Sequence, residues 1–180
     1  MLLLVALILA ACGSPSSKDG ENPVKAAGVL RVGTEGVYSP FSYHDPATNE
    51  LVGYDVDVAK AVAGRAVVLN LWAYWCGPCA DELPALAEYQ RRVGSKVTVL
   101  TVHQDENETA GLLRLADLGV KLPMLQDGRR LIAAALRVPN VMPATVLLRP
   151  DGSVAQVLPR PFTSADEIAS AVNAQLGVSG

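Results

Sequence analysis

An apolar run at residues 66–72 leads almost directly into the sequence Trp-Cys-Gly-Pro-Cys at residues 75–79. A continuous apolar run of this length is typical of a strand that is covered on both faces of a sheet. The two cysteines follow where such a strand ends and a helix begins, and a pair at this spacing is able to exchange a disulfide for two thiols. Because a helix N-terminus stabilises negative charge, we expect Cys76 to ionise readily. The thiolate is the form that attacks disulfides.

The composition is that of a globular chain with a sizeable core. Half of the 180 residues (50%) are hydrophobic, and the formal net charge is −3 with the basic residues scattered along the chain. This pattern argues against a nucleic-acid-binding surface. The chain has three cysteines, and the one outside the pair, Cys12, needs a separate explanation.

Cys12 directly follows the N-terminal residues 1–11, whose pattern is typical of a signal peptide. The apolar stretch from Leu2 to Ala11 is too short to span a bilayer and ends in small residues. Residues 9–12 resemble a bacterial lipobox, which implies lipidation of Cys12, a membrane anchor and a flexible linker over residues 12–27. The alternative is a simple signal that yields a secreted or periplasmic protein with an incidental cysteine. Both interpretations place the protein outside the cytoplasm, where disulfide chemistry is permitted.

The next part of the chain, residues 28–63, belongs to a different pattern. Two stretches, residues 28–41 and 51–61, resemble the opening of bacterial periplasmic amino-acid-binding proteins. In that family the first strand leads to a ligand-facing aromatic loop, which here corresponds to Tyr38 and Phe41. The second lobe and the arginine-bearing segment that clamps the ligand carboxylate are missing, so we do not expect a complete solute cleft.

The same segment also has a physical interpretation. Its residues predict a short strand at 29–32 between glycines and a helix at 55–63 that ends before Gly64. These elements stand in the right order to supply the first strand and helix of an α/β sandwich. The alternative is a loosely packed extension, and the sequence leaves both open.

From residue 65 onward the chain alternates regularly between strand and helix patterns. Strands are predicted at 66–73, 97–102, 144–148 and 153–158, and helices after Cys76, at 107–118, at 129–136 and from a capping box at Ser164. Such alternation predicts an α/β sandwich.

Three passages, residues 68–84, 99–125 and 138–152, resemble in order the thioredoxin superfamily, and more closely the extracytoplasmic TlpA-like thiol–disulfide oxidoreductases. The resemblance implies a thioredoxin-like α/β sandwich over residues 64–180, with a central mixed sheet flanked by helices and an N-terminal extension. We expect a departure in that extension, where the family normally has a β-hairpin.

The resemblance implies roles for three residues at the helix start. Cys76 is expected to be the more exposed cysteine and the nucleophile, and Cys79 is expected to resolve the mixed disulfide that Cys76 forms with a partner protein. Glu82 matches the buried glutamate of TlpA-like proteins and is expected to exchange protons with Cys79. The alternative for Glu82 is an ordinary acid favoured by the helix dipole.

The resemblance also implies a substrate-binding surface. Its members are Trp75, Gly77, Pro78, Met142 and Pro143, of which Pro143 corresponds to the cis-proline of the family. For Trp75 the sequence leaves two roles open, a docking aromatic and a core side chain.

Other chemistry of the cysteine pair has less support in the sequence. A zinc site needs about four ligands, and beyond the pair only Cys12, His44 and His103 are available, so no metal is expected. We expect His103 to be a surface side chain and assign no role to His44. Related redoxin families place a threonine three residues before the peroxidatic cysteine, where this chain has Ala73. The expected redox group is therefore the disulfide itself, without a further cofactor.

The expected partners are thiol- or disulfide-bearing proteins outside the cytoplasm and a membrane redox partner, and the protein is expected to be a monomer. TlpA-like relatives include reductants that prepare apocytochrome c and oxidants, so the direction of electron flow stays open. The alternative function is a binding module, namely a truncated amino-acid-binding lipoprotein with a structural Cys-x-x-Cys pair.

Overall fold

The computed structural model describes residues 37–39, 42–53, 56–57, 60 and 62–179. The predicted signal peptide, Cys12, the linker, the strand predicted at 29–32 and Phe41 lie outside the described residues. No helix in the part of the chain that the structure describes has both the length and the apolar character needed to cross a bilayer.

The described elements follow one another largely as the sequence predicts. In chain order they are β1 (Val37–Tyr38), β2 (Ser42–His44), β3 (Leu51–Val52), β4 (Ala66–Trp72), α1 (Gly77–Val93), a 3₁₀ turn (Gly94–Lys96), β5 (Val97–His103), α2 (Glu108–Asp117), β6 (Met124–Gln126), α3 (Leu131–Ala135), β7 (Ala144–Leu148), β8 (Val154–Leu158) and α4 (Ala165–Leu176).

A five-stranded mixed sheet with the order β6-β5-β4-β7-β8 forms the centre of the fold. Strand β4 is parallel to β5 and antiparallel to β7, so the strand before the cysteine pair is the central one. All seven residues of β4 are buried. The predicted thioredoxin-like α/β sandwich is confirmed.

Alternate residues of β4 face two apolar layers, because side chains of a strand point to opposite faces of the sheet. Val68 and Trp72 belong to the cluster formed with α1 and α4, whereas Val67 and Leu69 belong to the cluster formed with α3. Val62, which precedes β4, packs against the second cluster. The run of apolar residues therefore serves both layers, as a covered central strand requires.

The N-terminal part of the described chain contains a β-hairpin, which the sequence did not predict. Strands β1, β2 and β3 form a small antiparallel sheet, with Tyr43 opposite Val52. The turn is held by Asp45, whose Oδ1 accepts the main-chain N–H groups of Ala47 and Thr48, both at 2.9 Å. An aspartate that bonds the backbone two and three residues on is a local turn signal. At residues 56, 57, 60 and 62 the chain is helical, in agreement with the predicted helix.

Strand β6 was not predicted, because three residues are too few to show a periodic pattern. It pairs in parallel with the end of β5, with Thr101 opposite Met124 and His103 opposite Gln126. This pairing places β6 beside the C-terminal end of β5, at the same end of the sheet as the cysteine pair.

Candidate active site

Cys76 and Cys79 form a disulfide at the start of α1, just beyond the end of β4. Cys76 is the N-cap of the helix, and its Sγ accepts the main-chain N–H of Cys79 at 3.3 Å. Gly77 and Pro78 fill the first helical positions, where the missing N–H of proline leaves no bond unmade. Cys76 is 7% exposed and Cys79 is fully buried, which confirms Cys76 as the more accessible of the two.

The helix start favours a thiolate at Cys76. No acidic side chain lies in the first turn of α1, so nothing there opposes the positive end of the helix dipole. The N–H that contacts Sγ in the disulfide is placed to donate to a thiolate at the same position. This arrangement is suited to thiol–disulfide exchange at Cys76.

Glu82 is fully buried one turn beyond Cys79, as expected. Burial raises the pKa of its carboxyl group from 4.5 to about 7, although hydrogen bonds from Phe162 and Asn70 and the positive charge of Arg160 lower it in part. Asn70 donates to Oε1 through its side-chain amide, and the main-chain N–H of Phe162 donates to Oε2 at 2.7 Å. Residues three apart on a helix share a face, so this carboxyl group lies on the Cys79 side of α1.

Asn70 is a site residue that the sequence prediction missed. It lies in the middle of β4, is fully buried, and donates to Thr145 Oγ1 at 3.2 Å as well as to Glu82. Thr145 is its direct partner on β7. A single amide within an otherwise apolar central strand was the available signal, since a buried polar group needs a partner.

The predicted cis-proline is confirmed. The peptide bond between Met142 and Pro143 is cis and lies directly before β7, the neighbour of β4. Met142 packs against the apolar cluster that contains Cys76 and Cys79, and Pro143 is buried.

Trp75 is the largest exposed apolar side chain at the site. It is 58% exposed, which rules out the core-packing role, and the docking role stays a prediction. Its indole N–H donates to Asp105 Oδ2 at 2.9 Å. Asp105, in the loop between β5 and α2, was not singled out in the sequence.

His103 is fully buried, so the prediction of a surface side chain is wrong. Strand β5 extends one residue further than predicted, and this places the ring on the buried face beside Trp72, with ring centroids 5.0 Å apart. Gly111 of α2 makes room, because a Cβ there would lie 3.0 Å from the ring. Within the described ranges, no cluster of three or more His, Cys, Asp or Glu side chains is arranged to hold a metal.

Comparison with known proteins gives a family match. A family model described as the AhpC/TSA family matches residues 44–157, which is more than half of the chain. The match begins at the last residue of β2 and ends within β8, so it includes β3 and the cysteine pair but not β1 or the start of β2.

Two curated relatives correspond to the two resemblances seen in the sequence. The thiol-disulfide oxidoreductase ResA of Bacillus subtilis is 31% identical over 103 residues, which covers 57% of this chain and 57% of ResA. The L-cystine-binding protein TcyA of the same organism is 50% identical over 66 residues, which covers 32% of this chain and 25% of TcyA. The chain therefore spans less than two thirds of either relative.

Among solved structures, a secreted Mycobacterium tuberculosis disulfide oxidoreductase homologous to E. coli DsbE is similar, with a TM-score of 0.55 and 26% identity. The match covers 64% of this chain and 85% of that one. The likeness covers the fold that holds the cysteine pair.

Proposed function

The chain belongs to the AhpC/TSA family, and we propose that it is a thiol–disulfide oxidoreductase that exchanges the Cys76–Cys79 pair with partner proteins. The observation that carries the proposal is the disulfide at the N-terminus of α1, with Cys76 accessible and Cys79 buried. The similarity to ResA supports it.

The reaction starts from the reduced pair. The thiolate of Cys76 attacks one sulfur of a partner disulfide, and a mixed disulfide forms while the second partner sulfur leaves as a thiolate and takes a proton. Cys79 then loses its proton and attacks the mixed disulfide at Cys76. The partner leaves as a dithiol, the Cys76–Cys79 disulfide forms, and two electrons and two protons have passed to the partner.

Glu82 is the group that accepts the Cys79 proton in this scheme. Its pKa of about 7 lets it exist in both protonation states near neutral pH, and a general base works best with a pKa near the operating pH. In the opposite direction, when a partner dithiol is oxidised, the same carboxyl group returns the proton to Cys79.

Reduction of insulin by dithiothreitol, followed by turbidity, tests this function. The wild-type protein should accelerate precipitation, and Cys76→Ser and Cys79→Ser should not. Cys12→Ser is the matched control, since it removes a cysteine outside the pair and should leave the rate unchanged. A wild-type rate equal to that of dithiothreitol alone would overturn the proposal.

The protein is further proposed to act outside the cytoplasm, anchored through lipidated Cys12, on substrates of cytochrome c maturation or disulfide homeostasis and with a membrane redox partner. The signal-like segment at residues 1–11 and the similarity to a protein described as secreted support this location. Cell fractionation with a radiolabelled lipid precursor tests it. Wild-type protein should carry label in the membrane fraction and Cys12→Ser should not. An unlabelled secreted wild-type protein would show that the signal is a simple one.

A second candidate function is favoured by the match to an L-cystine-binding protein. In it, residues 28–63 bind an amino acid and the cysteine pair is structural. Calorimetric titration of L-cystine into the Cys76→Ser/Cys79→Ser variant separates binding from exchange. Tight binding together with an inactive wild-type protein in the insulin assay would favour this candidate over the first.

A further inference from the structure

The exposed indole of Trp75, next to Cys76, is attached to a loop that is itself fixed. Asp105 accepts the indole N–H with Oδ2 at 2.9 Å and the main-chain N–H of Asn107 with Oδ1 at 2.8 Å. Its main-chain carbonyl accepts the side-chain amide of Gln126. These bonds from Asn107 and Trp75 lower the pKa of the Asp105 carboxyl group, so it is ionised at neutral pH and its bond to the indole is charge-assisted.

The buried imidazole of His103 connects this loop to the backbone that precedes Cys76. The main-chain N–H of Tyr74 donates to Nε2 of His103 at 3.3 Å, so Nε2 carries the lone pair. The proton therefore lies on Nδ1, which donates to Gln126 Oε1 at 3.1 Å. This tautomer leaves the Gln126 amide nitrogen directed at the Asp105 carbonyl, as observed.

Four hydrogen bonds and the peptide link between Tyr74 and Trp75 close into a ring, which we call the indole clamp: Tyr74, His103, Gln126, Asp105 and Trp75. It joins residues from the loop after β4, the end of β5, the loop before α2 and strand β6. Trp75 and Gln126 are the exposed members of the clamp, and Trp75 is the exposed aromatic side chain among its five residues. The clamp thus fixes a solvent-exposed aromatic ring through its indole N–H.

We propose that Asp105 is a positioning residue that, supported by Gln126 and His103, holds Trp75 in the orientation in which a partner polypeptide docks beside Cys76. The inference rests on the proposed function, since it concerns the docking step of the same exchange reaction. Tryptophan is a frequent anchor at interfaces, because it combines a large apolar area with few rotatable bonds. Fixing it before the partner arrives removes an ordering cost that binding would otherwise carry.

Kinetics with two substrates test the proposal. For Asp105→Ala, the KM for insulin should rise about two- to tenfold, the cost of ordering one side chain on binding, with kcat little changed. The rate with hydroxyethyl disulfide, which is too small to need a docking surface, should stay at the wild-type value. Glu106→Ala is the matched control, because it removes a neighbouring charge whose side chain lies against Gly128 rather than Trp75, and its KM should not change.

Two further variants separate positioning from general damage. Trp75→Phe keeps an aromatic ring and loses the N–H, so adding Asp105→Ala to it should cause no further rise in KM. Asp105→Asn offers one oxygen to two donors, Asn107 and Trp75, and should give an intermediate KM. If the effects of Trp75→Phe and Asp105→Ala on KM multiply, Asp105 does not act through Trp75 and the proposal is wrong.

A spectroscopic readout is independent of activity. The chain has two tryptophans, so in a Trp72→Phe background the fluorescence reports Trp75 alone. Asp105→Ala should lower its steady-state anisotropy, and Glu106→Ala should not. An unchanged anisotropy and KM in an active protein would overturn the clamp, whereas an inactive wild-type protein would overturn the proposed function and the docking role with it.

Discussion

The main-chain N–H of Phe162 donates a 2.7 Å hydrogen bond to Oε2 of Glu82. The loop before α4 therefore contacts the carboxyl group that lies one helical turn beyond Cys79. Phe162 is itself buried, and the guanidinium of Arg160 lies 4.8 Å from the centre of its ring. Burial and hydrogen bonding act on Glu82 in opposite directions, and their balance leaves its pKa at about 7.

The stability of the oxidised protein should depend on pH through Glu82. Its pKa is about 7 when folded and 4.5 as the ordinary value, so the folded state holds this proton more tightly than the unfolded chain. The contribution is complete below the ordinary pKa and is lost as the pH rises through 7, a loss of about 3 kcal/mol in the free energy of unfolding. Glu82→Gln should abolish this part of the pH dependence.

Urea unfolding over a pH series measures the effect. Asp81→Asn is the control, because it removes an exposed carboxylate from the preceding position of the same helix. Its pH dependence should stay close to that of the wild type. If the free energy of unfolding of Glu82→Gln depends on pH as strongly as that of the wild type, Glu82 is not the group responsible for that dependence.

Asn70→Ala should move the pH profile of exchange to higher pH. The side-chain amide of Asn70 donates to Glu82 and lowers its pKa, so loss of the donor should raise that pKa above about 7. Single-turnover reaction of the reduced protein with insulin, over a pH series that spans neutrality, measures the shift. Thr145→Val is the control, since it removes the other acceptor of Asn70 and leaves the bond to Glu82 in place. Equal shifts in both variants would point to the strand packing rather than to Glu82.

Cys79→Ser should accumulate mixed disulfides with substrate proteins, because the partner is attached to Cys76 and no second thiol is present to release it. Non-reducing gel electrophoresis of the variant after incubation with extracytoplasmic protein detects the adducts. Cys76→Ser should form far fewer, since Cys79 is fully buried. Adducts on Cys76→Ser in equal amount would reverse the assignment of the nucleophile.

Much of the sandwich and the chemistry of the pair could be predicted from the sequence. The strand predicted at 144–148 has the expected bounds and the one predicted at 66–73 ends one residue earlier, because covered strands bury both faces and leave a continuous pattern. Cys76, Glu82 and Pro143 were found through motifs, in which the function of each residue depends on near neighbours in the chain. Such local patterns can be recognised in a sequence without any knowledge of tertiary contacts.

The indole clamp could not be predicted, since its bonds join groups more than 20 residues apart in the chain. A histidine at the end of a strand looks the same in sequence whether a helix covers it or not. In this protein helix α2 covers His103, and Gly111 leaves room for the ring. Strand β6, which supplies Gln126, is too short to show a periodic pattern. The hairpin at residues 42–52 was not predicted, because its strands of three and two residues are too short to show an alternating pattern.

Gly111→Ala should loosen the indole clamp from its buried side. The new Cβ would lie 3.0 Å from three atoms of the His103 ring, and the ring cannot withdraw without lengthening its bonds to Tyr74 or Gln126. Overpacking costs about 1–3 kcal/mol, against about 1 kcal/mol gained by replacing a helical glycine with alanine. We expect a net loss of stability of about 1 kcal/mol, together with lower Trp75 anisotropy in the Trp72→Phe background.

The same substitution in a His103→Ala background isolates the contact. With the ring removed, Gly111→Ala should no longer destabilise the protein and should instead show the helix gain of about 1 kcal/mol in urea unfolding. Leu113→Ala, at an exposed position of the same helix, should leave the anisotropy unchanged. If Gly111→Ala stabilises the protein even with His103 present, the ring moves aside without cost, and the clamp is not rigid enough to orient Trp75.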